Sequence, residues 1–155
     1  MSQLDRRTVV IAAVAVAGTL LATSASAGDP KKEAQKPAAA GDTKRKAVVD
    51  ALAVCIAASR VCMASCTDHL AMGMSNMADC QKSVMNMIPV CEAMAAVAAY
   101  NTADAKLAKS LASTCAAFCR SCEKTCEPHA AKHAECKACF EACKACAAAC
   151  EAFAA

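Results

Sequence analysis

The chain has 155 residues, 57% of them hydrophobic, with fourteen Cys, eight Met, no Trp and a formal net charge of +3. So small a charge, without a basic stripe carrying interleaved aromatic residues, excludes a typical nucleic-acid-binding surface. The length suits one domain with a modest core. β-Branched residues nowhere alternate convincingly with polar ones, so the sequence favours helices over strands.

Residues 1–27 are typical of a secretory signal peptide. A short basic start precedes an almost wholly apolar run from Val9 to Ala22, and an A-x-A cleavage site follows at residues 25–27. The apolar run is too short for a permanent membrane anchor. We therefore predict an exported protein that lacks a permanent membrane span once the signal is cleaved.

The adjacent Arg6 and Arg7 favour a twin-arginine signal and a periplasmic destination, with a general secretory signal as the alternative. The departure from the usual pattern is that Asp5 precedes the arginine pair. Residues 28–42 are polar and rich in Pro, Ala and Lys, and this composition predicts a flexible leader.

The remaining chain, residues 43–155, predicts one domain of four helices. Their expected spans are about 43–70, 78–100, 103–126 and 131–154. Asp42 or Thr43 is the expected N-cap of the first helix, Pro89 should kink or split the second, and Glu127-Pro128 should end the third. Short connections favour antiparallel neighbours, so we predict an all-α, antiparallel four-helix bundle.

The cysteines recur at steps of three and four residues, which places side chains on one face of a helix. In most bundles Leu and Ile fill such positions, so we predict a core lined by thiols. The stripe in the first helix also includes Ser59. The fourteen cysteines are Cys55, Cys62, Cys66, Cys80, Cys91, Cys115, Cys119, Cys122, Cys126, Cys136, Cys139, Cys143, Cys146 and Cys150.

The antiparallel order brings four helix ends together at one end of the bundle. The His and Met residues in those segments are His69, Met72, Met74, Met77, His129 and His133. The opposite end receives the apolar residues Leu52, Val97, Tyr100 and Leu107. We therefore expect one end with soft, polar groups and one end closed by hydrocarbon.

So many thiols could be small buried hydrophobes, disulfide partners or metal ligands. Thiols three or four residues apart on one helix rarely reach disulfide geometry, and a continuous repeat exceeds what stapling needs. Bridges between helices stay open, and would make the chain a disulfide-stapled helical interaction module. The C-x-x-C pairs lack a βαβ context, and no nucleophile–base set stands out, so we predict no enzymatic activity.

A metal-binding core can be assigned to a particular ion by its ligand types. Thiolate and thioether together select Cu(I), whereas zinc sites do not use thioether, so Met72-x-Met74-x-x-Met77 is the discriminating feature. Buried thiolates also need counter-charge. Monovalent ions shared among thiolates can supply nearly one positive charge per sulfur. A zinc ion bound by four thiolates leaves a residual negative charge. We predict several bound Cu(I) ions.

The Cys stripes, with His and Met at one bundle end, resemble those of the bacterial copper storage proteins over about residues 43–155, and the signal peptide is similar to that of the exported branch. The resemblance implies a homotetramer that stores Cu(I) for copper-requiring client enzymes, with a low-stoichiometry copper chaperone as the alternative. It implies core ligation by all fourteen Cys and ligation at the opening by His69, Met72, Met74 and Met77. Further candidates are Met87, His129 and His133, the two histidines alternatively being exposed capping residues.

Overall fold

The computed structural model describes residues 40–155, and the signal peptide and most of the leader lie outside these residues. The described chain forms four α-helices and one 3₁₀ turn, Ser75–Met77. The helices are α1 (Ala40–Ala71), α2 (Ala78–Tyr100), α3 (Ala105–Ala130) and α4 (Ala134–Ala154). Within residues 40–155 there is no strand, and the all-α prediction is confirmed.

The helices pack as a ring in chain order. α1 packs beside α2 and α4, and α3 packs beside α2 and α4, so the backbones of the two diagonal pairs stay apart and only their core side chains meet. Each connection is only a few residues long, which obliges consecutive helices to run in opposite directions. The structure therefore has the predicted antiparallel four-helix bundle, with the Cys stripes facing the shared interior.

Local chemistry explains how the helices begin and end. Gly73 takes a φ of 85° in the turn after α1, and Asn101 takes a φ of 52° as the C-cap of α2. Both are left-handed conformations, which Gly and Asn adopt at low cost. Asp104 caps α3 because its carboxylate accepts hydrogen bonds from the amides of Lys106 at 2.9 Å and Leu107 at 3.2 Å.

The start of α1 differs from the sequence-based expectation. The helix begins at Ala40, so Asp42 and Thr43 lie inside its first turn and neither is the N-cap. Asp42 instead forms an ion pair with Arg45, three residues further on the same face. A negative side chain in the first turn stabilises the positive end of the helix dipole without serving as the cap.

The prolines also end fewer helices than predicted. α2 runs unbroken from Ala78 to Tyr100 through the exposed Pro89, and α3 continues through Pro128 to Ala130, which delays the start of α4. A proline removes one backbone hydrogen bond, but packing on both sides of it can hold the helix. For Pro89 those neighbours are the buried Met87 and Cys91, and Pro128 lies in the last turn, where little helix remains to be disturbed.

The end of the bundle remote from the α1–α2 turn, here called the far end, is closed by Val48, Leu52, Met94 and Ala98, all of them buried. The predicted role of Leu52 at this end is confirmed. Tyr100 is 76% exposed and Leu107 is 67% exposed, so the expectation that they close the core was wrong. Both lie beside the α2–α3 connection, outside the helical stripes.

By length and composition, two segments, Ala40–Ala71 and Ser75–Tyr100, are apolar enough to cross a membrane. The core helices of bundles pass the same test, because Ala and Cys raise the mean hydropathy of a helix. Here both segments turn a stripe of fully buried residues toward the interior of the bundle, and this packing explains their hydropathy.

Candidate metal centre

The core of the bundle is made of sulfur. All fourteen cysteines are free thiols with no solvent-exposed surface. Each of them belongs to at least one group of three or four whose Sγ atoms lie within 4.8 Å of one another. The groups are Cys55/Cys91/Cys119/Cys146, Cys62/Cys66/Cys80/Cys136, Cys62/Cys126/Cys139, Cys115/Cys146/Cys150 and Cys122/Cys139/Cys143.

Thiols from different helices touch without bonding. The Sγ–Sγ distance is 3.3 Å between Cys80 and Cys126, and 3.6 Å between Cys66 and Cys80. A disulfide bond is about 2.05 Å long, so these thiols are not covalently bonded and contact one another through S–H···S hydrogen bonds. The structure therefore differs from the disulfide-stapled alternative, and its reduced cysteines can ligate a metal once they lose their protons.

A ring of His and Met residues surrounds the sulfur core at the end where α1 meets α2 and α3 meets α4. We call this end the mouth and define it by His69, Met77, His129 and His133. Each lies three residues from a buried Cys of the same stripe, and these cysteines are Cys66, Cys80, Cys126 and Cys136. A step of three residues is nearly one helical turn, so each helix supplies one soft or imidazole group just outside its outermost thiol.

The three histidines lie together, as the antiparallel order predicts. The ring centroids of His69 and His133 are 4.4 Å apart in an edge-to-face arrangement, and those of His129 and His133 are 6.4 Å apart. All three are half-buried. His133 occupies the N-cap position of α4, but its half-buried side chain makes no capping hydrogen bond, so His133 does not act as an exposed capping side chain.

The hydrogen bonding of His69 orients its ring. Its Nδ1 lies 2.7 Å from the backbone carbonyl oxygen of Ser65. A carbonyl can only accept, so Nδ1 donates and Nε2 keeps the lone pair of the neutral ring. Metal-binding histidines are commonly oriented by such a bond, and His69 is thus prepared to offer Nε2.

The methionines differ in burial. Met77 is fully buried, Met74 is half-buried against the core, and Met72 is 69% exposed. The backbone amide of Met74 donates to the carbonyl of His69 at 3.0 Å, which folds the turn back over the end of α1. The three thioethers therefore run from solvent to core at the mouth.

Met87 lies deeper in the bundle. Its Sδ is 3.1 Å from the Sγ of Cys91 and 3.9 Å from the Sγ of Cys55. Ser59 is the one buried polar side chain among residues 40–155, with Oγ 3.5 Å from the Sγ of Cys139. The sequence pattern placed Ser59 in the α1 stripe but assigned it no role.

Burial governs the protonation of the thiols near the mouth. Desolvation raises the pKa of Cys66 to about 12 and that of Cys136 to about 11, because a buried thiolate loses its hydration. Hydrogen bonds from neighbouring thiols, chiefly Cys126, hold the pKa of Cys80 below its usual range. Burial therefore favours the protonated form of the Cys66 and Cys136 thiols, and metal binding to them must release protons.

Buried thiols and thioethers in one helical interior, with imidazole groups at its mouth, define a protein that binds several soft monovalent metal ions. Comparison with known proteins agrees with this class. A family model described as copper storage protein matches residues 41–155. The chain belongs to the copper storage protein family, and the resemblance seen in the sequence is confirmed.

Solved structures from two organisms share the fold. A cytosolic copper storage protein from Streptomyces lividans, with five coppers, is 26% identical with a TM-score of 0.67, over 73% of this chain and 93% of that one. The Streptomyces lividans protein loaded with 10 copper equivalents is 27% identical with a TM-score of 0.66, over 77% of this chain and 92% of that one. Apo copper storage protein 3 from Bacillus subtilis is 25% identical with a TM-score of 0.60, over 71% of this chain and 98% of that one. No curated protein sequence matches the chain.

Proposed function

We infer that this protein stores several Cu(I) ions in the interior of the bundle, bound by cysteine thiolates. The observation that carries this conclusion is that every one of the fourteen thiols is buried and lies in a multi-thiol group. A carrier of one ion needs only two or three sulfur ligands. Further buried thiols would bury less apolar surface than Leu or Ile and so lower the stability of the fold, with no gain in metal binding. A monovalent ion also neutralises a thiolate that would be costly to bury alone.

The mouth supports a route by which copper reaches the core. Met72 is exposed, Met74 is half-buried and Met77 is buried, so thioether ligands continue from solvent to the first thiols. His69 adds a ring nitrogen, and His129 and His133 are further ligand candidates beside it. Met87 is a candidate within the core. All fourteen cysteines are proposed as the storage ligands.

The test is anaerobic titration of the fully reduced chain with Cu(I), followed by metal analysis. Charge balance predicts saturation at about one ion per thiolate, or roughly fourteen ions per chain. Saturation at one or two ions would instead indicate the low-stoichiometry chaperone. A parallel thiol count on denatured protein separates the stapled module, for which fewer than fourteen free thiols are expected.

The N-terminal sequence supports export to the periplasm through a twin-arginine signal. The proposal is tested by fractionating cells that produce the full chain and a variant with Arg6→Lys and Arg7→Lys. A twin-arginine signal requires the pair, so the variant should stay in the cytoplasm at its unprocessed mass. Unchanged export of the variant would favour a general secretory signal.

The outer surface of α1 supports association into a homotetramer. Val54 is 62% exposed and Val61 is 58% exposed, seven residues apart on one face, opposite the thiol stripe. Small residues between them, including Ala57, permit close approach of a second helix. Light scattering should give the mass of four chains, and Val61→Glu should lower it because it buries a charge in the interface. An unchanged mass for Val61→Glu would exclude this face.

Storage requires no catalysis, and the chain acts without enzymatic activity in this proposal. The copper it holds would supply copper-requiring client enzymes. Mixing the loaded protein with an apo-form copper enzyme from the same compartment tests this supply. The enzyme should gain activity in proportion to the copper lost from the store, and its failure to do so would point to a purely buffering role.

A further inference from the structure

The thiol core changes composition at one level near its middle. On α1, Ser59 takes the stripe position between Cys55 and Cys62 and is fully buried. On the facing helix α2, the corresponding stripe position is Val84, also fully buried. Sulfur contacts between α1 and α2 on either side show that Ser59 and Val84 lie at the same height along the bundle. Toward the mouth, Cys62 lies 3.9 Å from Cys80, and on the other side Cys55 lies 3.9 Å from Met87.

At this level α1 and α2 therefore supply no thiol. The thiols there come from α3 and α4, with Sγ distances of 3.9 Å between Cys122 and Cys139 and 3.9 Å between Cys139 and Cys143. We call these three residues the bridge. They join the cysteines on either side, since Cys122 lies 3.9 Å from Cys126 and Cys143 lies 3.8 Å from Cys55.

The remaining cysteines form two broader clusters to which all four helices contribute. The mouth-side cluster consists of Cys62, Cys66, Cys80, Cys126 and Cys136. The far cluster consists of Cys55, Cys91, Cys115, Cys119, Cys146 and Cys150. Each cluster spans the core, whereas the bridge occupies only its α3–α4 side.

We propose that Ser59 and Val84 divide the copper store into two compartments joined only by the bridge, so that copper in the far cluster leaves much more slowly than copper near the mouth. The inference rests on the proposed storage function and adds an internal order to it. A serine hydroxyl is a poor ligand for Cu(I), and a valine side chain is no ligand at all. Because these two positions lack a thiol, copper can pass between the two clusters only along the three bridge thiols.

Movement between the compartments is an exchange of ligands. A Cu(I) ion forms a Cu–S bond to the next thiolate of the bridge as it loses a Cu–S bond to the previous one. Its oxidation state stays +1, and the thiolate left behind takes up a proton or another Cu(I) ion. The Ser59 hydroxyl lies 3.5 Å from the Sγ of Cys139 and offers Cu(I) no thiolate to move to.

Release kinetics test the division. The full reduced chain is saturated with Cu(I) anaerobically and mixed with excess bicinchoninate, whose Cu(I) complex is followed by absorbance. The wild type should release copper in two phases of comparable amplitude. Ser59→Cys adds a thiol at the narrow level and should accelerate the slow phase roughly tenfold, which corresponds to about 1.4 kcal/mol in the barrier.

Two further variants separate the cause from side effects. Val84→Cys adds a thiol at the same level from α2 and should also accelerate the slow phase. Ser59→Ala removes the hydroxyl without adding a ligand, and should leave two phases and a slow rate close to that of the wild type. Circular dichroism and a thiol count confirm that each variant is folded and reduced.

The outcomes distinguish the two proposals. If the wild type saturates at one or two ions, storage itself fails. If it stores many ions but releases them in one phase, the compartments are overturned while storage stands. The compartments are also overturned if both added thiols leave the slow phase unchanged, or if Ser59→Ala accelerates it as much as Ser59→Cys.

Discussion

The mouth and the far end are built by the same four helices but from different chemistry. At the mouth, three half-buried histidines and a gradient of methionine burial surround the outermost thiols. At the far end, Val48, Leu52 and Met94 fill the interior with hydrocarbon. The difference supports the proposal that metal is exchanged at the mouth, while hydrophobic side chains stabilise the bundle at the opposite end.

The separation has a physical reason. A thiol buries less apolar surface than Leu or Met, and each buried methylene contributes about 0.8 kcal/mol. A core of Cys and Ala is therefore weakly stabilised before metal binds. The far end provides large buried side chains, whereas the His and Met side chains at the mouth are only half-buried or exposed, apart from Met77. Large apolar side chains at the mouth would cover its His and Met groups, and exposed polar groups at the far end would remove the apolar burial that stabilises the bundle.

The largest expected effect comes from two variants, each of which lacks one four-thiol group, in one case from the mouth-side cluster and in the other from the far cluster. One variant replaces Cys62, Cys66, Cys80 and Cys136 by Ala, and the matched variant replaces Cys55, Cys91, Cys119 and Cys146 by Ala. Each should bind about four fewer Cu(I) ions at saturation, because each thiolate neutralises about one ion. Only the mouth variant should also load slowly in stopped-flow experiments. Equal loading rates would contradict uptake at the mouth.

The next effect concerns stability. Leu52→Ala should lower the free energy of unfolding of the apo-protein by about 2–5 kcal/mol, since it leaves a cavity in the buried far end. Leu107→Ala is the matched control, because Leu107 is 67% exposed, and should change it by less than about 0.5 kcal/mol. Urea unfolding under reducing conditions measures both. Similar losses for the two variants would mean that the far end does not stabilise the bundle as described.

A smaller effect is expected from the mouth histidine. His69→Ala should slow Cu(I) loading roughly tenfold, corresponding to about 1.4 kcal/mol, because it removes the nitrogen that the Ser65 carbonyl orients. Capacity should fall by about one ion at most. Tyr100→Ala, an exposed aromatic at the far end, is the control and should load at the wild-type rate. If the two variants load alike, His69 has no part in uptake.

The smallest difference between the ends is expected from alkaline pH. Burial raises the pKa of Cys66 to about 12 at the mouth, and a hydrogen bond with Cys115, together with burial, raises that of Cys150 to about 12 at the far end, from an ordinary value of 9.0. A raised pKa in the folded state favours the protonated form, so its stabilisation is complete below about pH 9 and is lost as pH rises toward 12.

The reduced apo-protein should therefore show a melting temperature that falls steadily above about pH 9. Cys66→Ala and Cys150→Ala should reduce the slope of this fall by similar amounts, because their thiols are shifted alike. A slope that only one variant changes would show that the two ends differ in desolvation. A melting temperature that rises above pH 9 would contradict the direction of both shifts.

Sequence reasoning predicted most of the bundle because helical periodicity is local. Steps of three and four residues define a face without knowledge of any partner, so the thiol stripes, the four helices and the convergence of His and Met at one end could all be inferred. The same reasoning ended α3 too early at Pro128, which lies in the last turn of the helix, and Pro89 does not split α2, because the buried Met87 and Cys91 pack on either side of it.

Distances between stripes could not be read from the chain. Which thiol of α1 meets which thiol of α4 depends on how turns and side-chain volumes set the relative height of the helices. That height brings His69 to 4.4 Å from His133 and Ser59 to 3.5 Å from Cys139. It also decides that Met77 is buried while Met72 is exposed, although both lie in one short segment.

The amino-acid sequence by itself thus determined that a helical protein would line its interior with sulfur, and that soft ligands would gather at one end. The tertiary structure alone decided which thiols form groups, where the sulfur path narrows, and which apolar side chains close the far end. The reason is that the face of a helix follows from a repeat of 3.6 residues, while contact across a core depends on packing between segments distant in sequence.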